Sequence, residues 1–410
     1  MLTLKFPKLY CVAFFVGGIM IERKAEKTLK RLASQFPVVA VTGPRQSGKT
    51  TLAKMVFPDK KYVSFDDKNM REIAKSSPSD FLLAFPDGAV FDEAQKVPEI
   101  FDAIKLNVDS HGYYPGKYIL TGSSQFRLKE NIAESLAGRA GVLNLLPFSI
   151  GELEAAGKLG NTAYDTMLKG FYPPLYDDAK HFLPEDWFES YINTYLDMDV
   201  KDWINPSNIS VFRKFISFCA IYSGQMLNME SLSRELGVSS VTVKSWLSVL
   251  EASYIIHFVY PDTNNLGRTL VKTPKIYFVD PGLMCRLLRL NNTEEMILSR
   301  YKGAVIETAA VSELLKSCFN EGKKAELTYF RDKNGFEVDF IADWKHTCAI
   351  EIKSESYSEN KLSSNVRKYL EMRGEETSGA VFYLGDISCN IAGVDYVSWR
   401  DWGKFYAKFA

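Results

Sequence analysis

The eight residues Gly43-Pro44-Arg45-Gln46-Ser47-Gly48-Lys49-Thr50 constrain this chain more than any other stretch. They follow the apolar run Val38-Val39-Ala40-Val41 and precede Thr51-Leu52-Ala53-Lys54-Met55, so a buried strand is expected to turn through a glycine-rich loop into a helix. The spacing is that of a P-loop. Its glycines let backbone N–H groups curl around phosphate, and the helix N-terminus adds its positive dipole end. Lys49 is then placed to reach the β- and γ-phosphates and Thr50 to put its hydroxyl on Mg²⁺, with residues 43–51 as the nucleotide cradle.

A chain of 410 residues exceeds what one hydrophobic core usually serves, so several domains are expected. Fifty basic residues balance fifty acidic ones, which leaves no global positive field; a nucleic-acid contact has to come from a local patch. The six cysteines (Cys11, Cys219, Cys285, Cys318, Cys348, Cys389) are scattered and form no metal-ligand spacing. They fit small buried hydrophobes in a reducing, cytoplasmic setting, with no membrane partner. Near the start, Lys5 and Lys8 precede an apolar stretch at 9–18 that resembles a short signal sequence but is too short to span a bilayer. Met20 is followed by the charged start of an amphipathic helix, Ile21-Glu22-Arg23-Lys24, so residues 1–20 are expected to be a non-structural extension, with a targeting segment as the alternative.

Residues 24–35 read as a helix with Leu29 and Leu32 inward, and 61–66 as a short strand. The run Gly88-Ala89-Val90-Phe91-Asp92-Glu93 reads as a buried strand ending in two acids, the Walker B pattern. There Asp92 can organise the Mg²⁺ shell while Glu93 polarises the water that attacks the γ-phosphoryl group. A further strand, 117–124, ends in small hydroxyl residues, and helices at 97–111 and 131–138 alternate with the strands. The expected fold of 21–155 is a three-layer α/β/α sandwich with a mostly parallel sheet and nucleotide at the carboxyl ends of its strands.

The motifs at 43–51, Phe-Asp-Glu-Ala-Gln (91–95), Leu-Thr-Gly-Ser-Ser (120–124), Ser-Leu-Ala-Gly-Arg (135–139) and Leu-Pro-Phe-Ser (146–149) followed by Glu152 are together similar to the AAA-like prokaryotic ATPases that carry a characteristic domain of unknown function after the P-loop module. That resemblance implies ATP and Mg²⁺ as cofactors, ATP hydrolysis, Ser123 as a sensor, and assembly into a homo-oligomer. It also implies Arg139 as a charge-stabilising arginine, in its own chain or supplied to a neighbouring subunit, with a surface or structural arginine as the equal alternative and Arg45 and Arg127 as rivals.

Within 187–200, Phe188, Tyr191, Tyr195 and Met198 fall at helical spacing, a stripe expected in a core. It also resembles the start of the family's second domain, a tyrosine-rich helix ending in an acid such as Asp199. Farther on, a short helix at 231–236, a turn at 237–240, a helix at 241–252 and strands at 254–260 and 275–279 suggest a winged helix-turn-helix. Ser240, Thr242, Lys244 and Ser245 would face DNA, although a single lysine is meagre for phosphate neutralisation and a protein contact is equally served.

The last stretch orders as helix 302–318, strands 326–330, 336–341 and 348–352, helix 365–372 and strand 379–384, which resembles the core of the PD-(D/E)XK nuclease fold. Strand alternation puts Glu337 with Asp339, and Glu351 with Lys353, on one face. Asp339 and Glu351 could share a hard cation while Lys353 polarises the nucleophile, and the resemblance adds Glu307 as an extra metal-side carboxylate. The plainer alternative is a half-exposed sheet whose outer charges pair with one another.

The expected organisation is thus α/β multidomain: the ATPase sandwich, a helical linker or lid at 156–205, a winged-helix domain at 206–290, and an α+β restriction-endonuclease-like domain at 291–410. Function is expected to be ATP hydrolysis coupled to the winged-helix and nuclease-like modules on DNA. The alternatives are a nucleotide-gated, metal-dependent DNA nuclease and an ATP-dependent switch that binds a protein partner with little turnover.

Overall fold

The computed structural model describes residues 20–110, 114–122, 125–195, 204, 208–262, 273–374 and 377–408. The expectations for residues 1–19, Ser123, Met198 and Asp199, and for the side chain of Arg127, lie outside the described residues. The chain divides into two compact units. One runs to Leu146 and includes Asp177–Ala179 and Phe319–Lys323; the other comprises Pro147–Tyr176, Lys180–Cys318 and Lys324–Ala410.

The first unit is built from α1 (Ala25–Gln35), β1 (Val38–Thr42), α2 (Lys49–Val56), β2 (Lys61–Ser64), α3 (Lys68–Ser76), α4 (Pro78–Leu83), β3 (Ala89–Asp92), α5 (Glu99–Ser110), β4 (Tyr118–Gly122), α6 (Gln125–Ser135) and β5 (Ala140–Asn144). All strand pairs are parallel, in the order β2-β3-β4-β1-β5. A parallel sheet is buried on both faces, and the alternation along β1 shows it. Val38 and Ala40 join Phe91, Tyr118 and Leu120 in one core, while Val39 and Val41 join Val90, Ile119 and Leu143 in the other. Phe65 and Phe85 pack on Phe91 with ring centroids 5.7 and 5.5 Å away, fixing the strand that presents Asp92. The expected helix at 131–138 starts earlier, at Gln125, and stops at Ser135.

The second unit contains α7 (Ile150–Ala155), α8 (Ala163–Lys169), α9 (Pro184–Tyr195), α10 (Ile209–Ile221), α11 (Met229–Leu236), α12 (Ser240–Ala252), β6 (Ile256–Pro261), β7 (Lys275–Phe278), α13 (Pro281–Leu287), α14 (Thr293–Leu298) and α15 (Lys302–Asn320). It continues through β8 (Leu327–Arg331), β9 (Glu337–Asp343), β10 (Thr347–Ile352), α16 (Ser364–Arg373), β11 (Thr377–Tyr383), β12 (Cys389–Ile391) and β13 (Val394–Ser398) to α17 (Trp402–Phe405). The helix and strand order expected after residue 302 is present, with β8, β9 and β10 antiparallel and β11 parallel to β10. Val366 and Tyr369 of α16 cover one face of this sheet together with Val338, Ala349 and Val381.

The hairpin β6-β7 differs from a free wing. It is the edge of one eight-stranded sheet, β12-β13-β11-β10-β9-β8-β6-β7. Tyr260 and Pro261 pair with Thr328 and Tyr329 of β8, and the Asp262 amide donates to the Tyr329 carbonyl at 2.7 Å. The 206–290 and 291–410 segments therefore share a sheet, because β6 spends its outer ladder on β8 instead of leaving it to solvent. Cys219, Cys285, Cys318 and Cys348 are buried, as small apolar side chains are.

Candidate functional site

Between the end of β1 at Thr42 and the start of α2 at Lys49, the chain turns through positive φ at Gly43 (152°), Gln46 (60°) and Gly48 (94°). A Cβ at Gly43 would fall 2.1 Å from the Leu145 carbonyl oxygen, so the loop lies hard against the chain that leaves β5. Arg23, buried at 6% exposure, braces it from below. Its Nη1 donates to the Ser47 carbonyl at 2.8 Å and its Nη2 to the Leu146 carbonyl at 2.6 Å. Lys49 Nζ folds over the loop onto the carbonyls of Gly43 (3.0 Å) and Pro44 (2.7 Å). Pro44 and Ser47 are buried, Arg45 is half-buried, and Gln46 and Thr51 are exposed. Ser47 Oγ is buried without a hydrogen-bond partner among the described residues, a polar group suited to a phosphate oxygen.

The order of the sheet sets β4 between the P-loop strand and β3, so the ends of all three strands converge. Asp92, also buried, gathers three hydroxyls there. Thr50 Oγ1 donates to its Oδ1 at 2.9 Å, Thr121 Oγ1 donates to the same oxygen, and Tyr62 OH donates to Oδ2 at 2.7 Å. Burial first, and then the Asp92 charge, hold the Tyr62 phenol well above its ordinary range, so it stays a donor. Lys54 Nζ sits 3.6 Å from the centroid of the Tyr62 ring, adding a cation–π contact. The Thr50–Asp92 bond joins the two expected metal-side residues, and their oxygen chemistry fits Mg²⁺. Glu93 follows in a left-handed conformation, φ 54° and ψ 43°.

Arg139 is not brought to this centre. It precedes β5 at the end of the sheet opposite the P-loop, because Val38 pairs with Ala140 while Thr42 pairs with Asn144. Its guanidinium is spent in a fork on Asp109, Nε to Oδ1 at 2.7 Å and Nη2 to Oδ2 at 2.9 Å. Within the chain the guanidinium is held by Asp109 away from the P-loop, so the structure does not bring Arg139 together with Lys49, Thr50 and Asp92. Sequence reading missed Arg23, Tyr62 and Thr121. For Thr121 a signal existed, its place in the expected hydroxyl-rich strand end.

In the second unit, Asp339 and Glu351 lie one position beyond the last paired residues of the antiparallel β9-β10 ladder, Phe340 and Ile350, close enough for the Asp339 charge to act on Glu351. The Ile352 amide donates to Asp339 Oδ2 at 2.7 Å. Lys353 Nζ donates to Glu351 Oε1 at 2.7 Å, and Asn365 Nδ2 to the same oxygen at 3.2 Å. Glu351 Oε2 is buried with no hydrogen-bond partner among the described residues, so one carboxylate oxygen is left for a cation. Burial, then the Asp339 charge, push Glu351 up to about 7. Desolvation raises Asp339 as well, against the Ile352 amide and the nearby lysines. Burial is the largest single influence on Lys353 and lowers it, but Glu351, Asp339 and Glu355 together outweigh it and leave the ammonium above its ordinary value.

The remaining acids lie close enough to interact with Asp339 but have partners of their own. Glu307 on α15 accepts from Tyr277 OH at 3.1 Å, and desolvation with the Asp339 charge lifts it to about 8. Glu337 pairs with Lys275 of β7 and, at 2.7 Å, with Arg331. Among the described residues no group of three or more His, Cys, Asp or Glu side chains is arranged to hold a metal ion. On α12, Ser240, Val241, Lys244 and Ser245 are exposed and Thr242 is half-buried. Among the described residues no helix is long and apolar enough to cross a membrane.

A family profile described as AAA domain matches residues 35–154. Profiles described as domains of unknown function match 161–294 (DUF8612) and 302–402 (DUF4143). Uncharacterized proteins of Mycobacterium bovis and Mycobacterium tuberculosis are each 30% identical over 331 residues, 80% of this chain and 73% of theirs. An uncharacterized protein of Methanocaldococcus jannaschii is 23% identical over 355 residues, 79% of this chain and 76% of its own. Among solved structures, a Walker-type ATPase of Pyrococcus abyssi covers 66% of this chain and 96% of its own at 14% identity and a TM-score of 0.43. An ORC2 protein of Aeropyrum pernix in its ADP form covers 60% and 90% at 11% identity and a TM-score of 0.31.

Proposed function

We propose an Mg²⁺-dependent ATPase on one premise: this chain belongs to the family of the two mycobacterial proteins and carries an AAA domain at residues 35–154. The observation that carries the reading is the Thr50–Asp92 hydrogen bond, which ties the P-loop helix to the carboxylate at the end of β3. Lys49 leaves the Gly43 and Pro44 carbonyls for the β- and γ-phosphates, and the loop amides of 43–50 take the remaining oxygens. Mg²⁺, when bound, neutralises charge on the phosphate oxygens. Asp92 holds the Thr50 hydroxyl on the metal side, Tyr62 and Thr121 keep Asp92 from turning, and Glu93 accepts a proton from the attacking water.

The second unit is the output, a nuclease-like acidic site that takes a divalent cation on Asp339 and Glu351, with Lys353 beside the nucleophile, and that acts on DNA. The orphaned Glu351 oxygen supports that site. A protein-binding switch is the second reading, favoured by Val241, which is 76% exposed on α12 with Lys244 as that helix's only cation. One preparation assayed for phosphate release and for DNA cleavage with Mg²⁺ or Mn²⁺ separates these. Lys49→Ala is expected to stop phosphate release, and Asp339→Ala to stop cleavage while sparing it. DNA left equally intact by the wild type and Asp339→Ala removes the nuclease output.

A further inference from the structure

Directly after Asp92 and the left-handed Glu93, residues Ala94–Lys96 close a single 3₁₀ turn that folds Gln95 back beside Glu93. Gln95 is 6% exposed. Its Nε2 donates to a carboxylate oxygen of Glu93. Its Oε1 is buried and has no hydrogen-bond partner among the described residues. That oxygen faces the end of β4: a Cβ at Gly122 would fall 2.2 Å from it, so only glycine leaves room for the amide there. A buried acceptor left unspent is costly, and so is a left-handed backbone at a glutamate. Both costs fall on one turn, beside the residue expected to act as base.

We propose that Gln95 is a positioning residue for ATP hydrolysis, its Nε2 fixing the Glu93 carboxylate and its Oε1 accepting a hydrogen bond from the attacking water. This rests on the ATPase reading above. A water has two O–H groups; with one on Glu93 and the other on Gln95 Oε1, its lone pair is directed at the γ-phosphorus. As the new P–O bond forms, the bond from phosphorus to the β,γ-bridging oxygen breaks. ADP leaves with that electron pair, and one water proton passes to Glu93 and then to the released phosphate. Lacking a charge of its own, Gln95 leaves Glu93 as the only base.

The test compares wild type, Gln95→Ala, Gln95→Glu and Glu93→Gln in steady-state phosphate release, in equilibrium binding of a fluorescent ATP analogue, and in trapping of Mg·ADP with aluminium fluoride. Gln95→Ala is expected to lower kcat on the order of 10- to 100-fold, to weaken trapping in parallel, and to leave ATP affinity within about threefold. Gln95→Glu sets a second carboxylate against Glu93 and is expected to move the acid limb of the kcat profile to higher pH. If Glu93→Gln abolishes turnover while Gln95→Ala keeps kcat within about twofold, the proposal fails and the ATPase reading stands. Loss of ATP affinity in step with kcat overturns it too, since that marks a collapsed site. A wild type that binds ATP and releases no phosphate overturns both.

Discussion

Arg23 lies well before the P-loop in sequence and contacts no expected nucleotide atom, yet its fork supports the loop from beneath. Replacing it with alanine strips a charged donor from the Ser47 carbonyl and another from the Leu146 carbonyl, both within a buried setting. A hydrogen bond to a charged group contributes about 1.5–3 kcal/mol, and the Ser47 bond is the one that restrains the loop. Losing it raises the population of opened loop roughly 10- to 150-fold. Hydrogen exchange at the amides of residues 43–52 is therefore expected to accelerate by that factor in Arg23→Ala, and ATP affinity to fall by a comparable one. Arg23→Lys should recover only part of it, because one nitrogen on a shorter side chain replaces the two spread nitrogens of the planar guanidinium. Exchange and ATP affinity in Arg23→Ala indistinguishable from wild type would refute the bracing role.

Three further outcomes follow from the geometry. Tyr62→Phe removes one of three donors to Asp92 and, at about 1 kcal/mol, is expected to shift half-maximal turnover to several-fold higher Mg²⁺, with metal-free ATP binding unchanged; a Mg²⁺ titration reads it. Lys275→Met leaves Glu337 with Arg331 alone and makes the acidic cleft more negative. Tighter Mn²⁺ binding by titration calorimetry is expected, together with a stability loss of about 2 kcal/mol, below the roughly 3–5 kcal/mol of a fully buried pair broken outright because Arg331 remains on the part-exposed Glu337. In metal-free protein, Glu351 near 7 and Glu307 near 8 both sit above the 4.5 of an ordinary glutamate, so the folded state holds more protons than the unfolded one between those values. Their contribution to stability is full below pH 4.5 and is lost as pH rises to about 8. Denaturant unfolding in chelator at pH 5.5 and 8 should show the fall, and Glu351→Gln should flatten it.

What could be read from the chain was what local pattern encodes. The P-loop announces itself because strand, glycine turn and helix are contiguous, and Asp92 because an apolar run ends in acids. Asp339, Glu351 and Lys353 follow from a two-residue alternation, which holds on any strand. The partners of these residues were not legible. Arg23 reaches Leu146 across 123 positions and Lys275 reaches Glu337 across 62, and no periodicity records such distances. The continuous sheet was missed for the same reason: β6 reads as half of a hairpin, and its pairing with β8 depends on a chain segment beyond α15. Arg139 shows a different limit: a motif marks the residue, but only the strand register tells that it lies at the end of the sheet opposite the P-loop.

The most direct test is a single-turnover measurement of phosphate release from ATP with Mg²⁺, comparing the wild type with Glu93→Gln at matched nucleotide occupancy. Release by the wild type, and its loss by at least about a hundredfold in Glu93→Gln with ATP still bound, is the predicted result. Equal rates in the two proteins, or bound ATP that neither hydrolyses, would contradict an ATPase centred on Asp92 and Glu93.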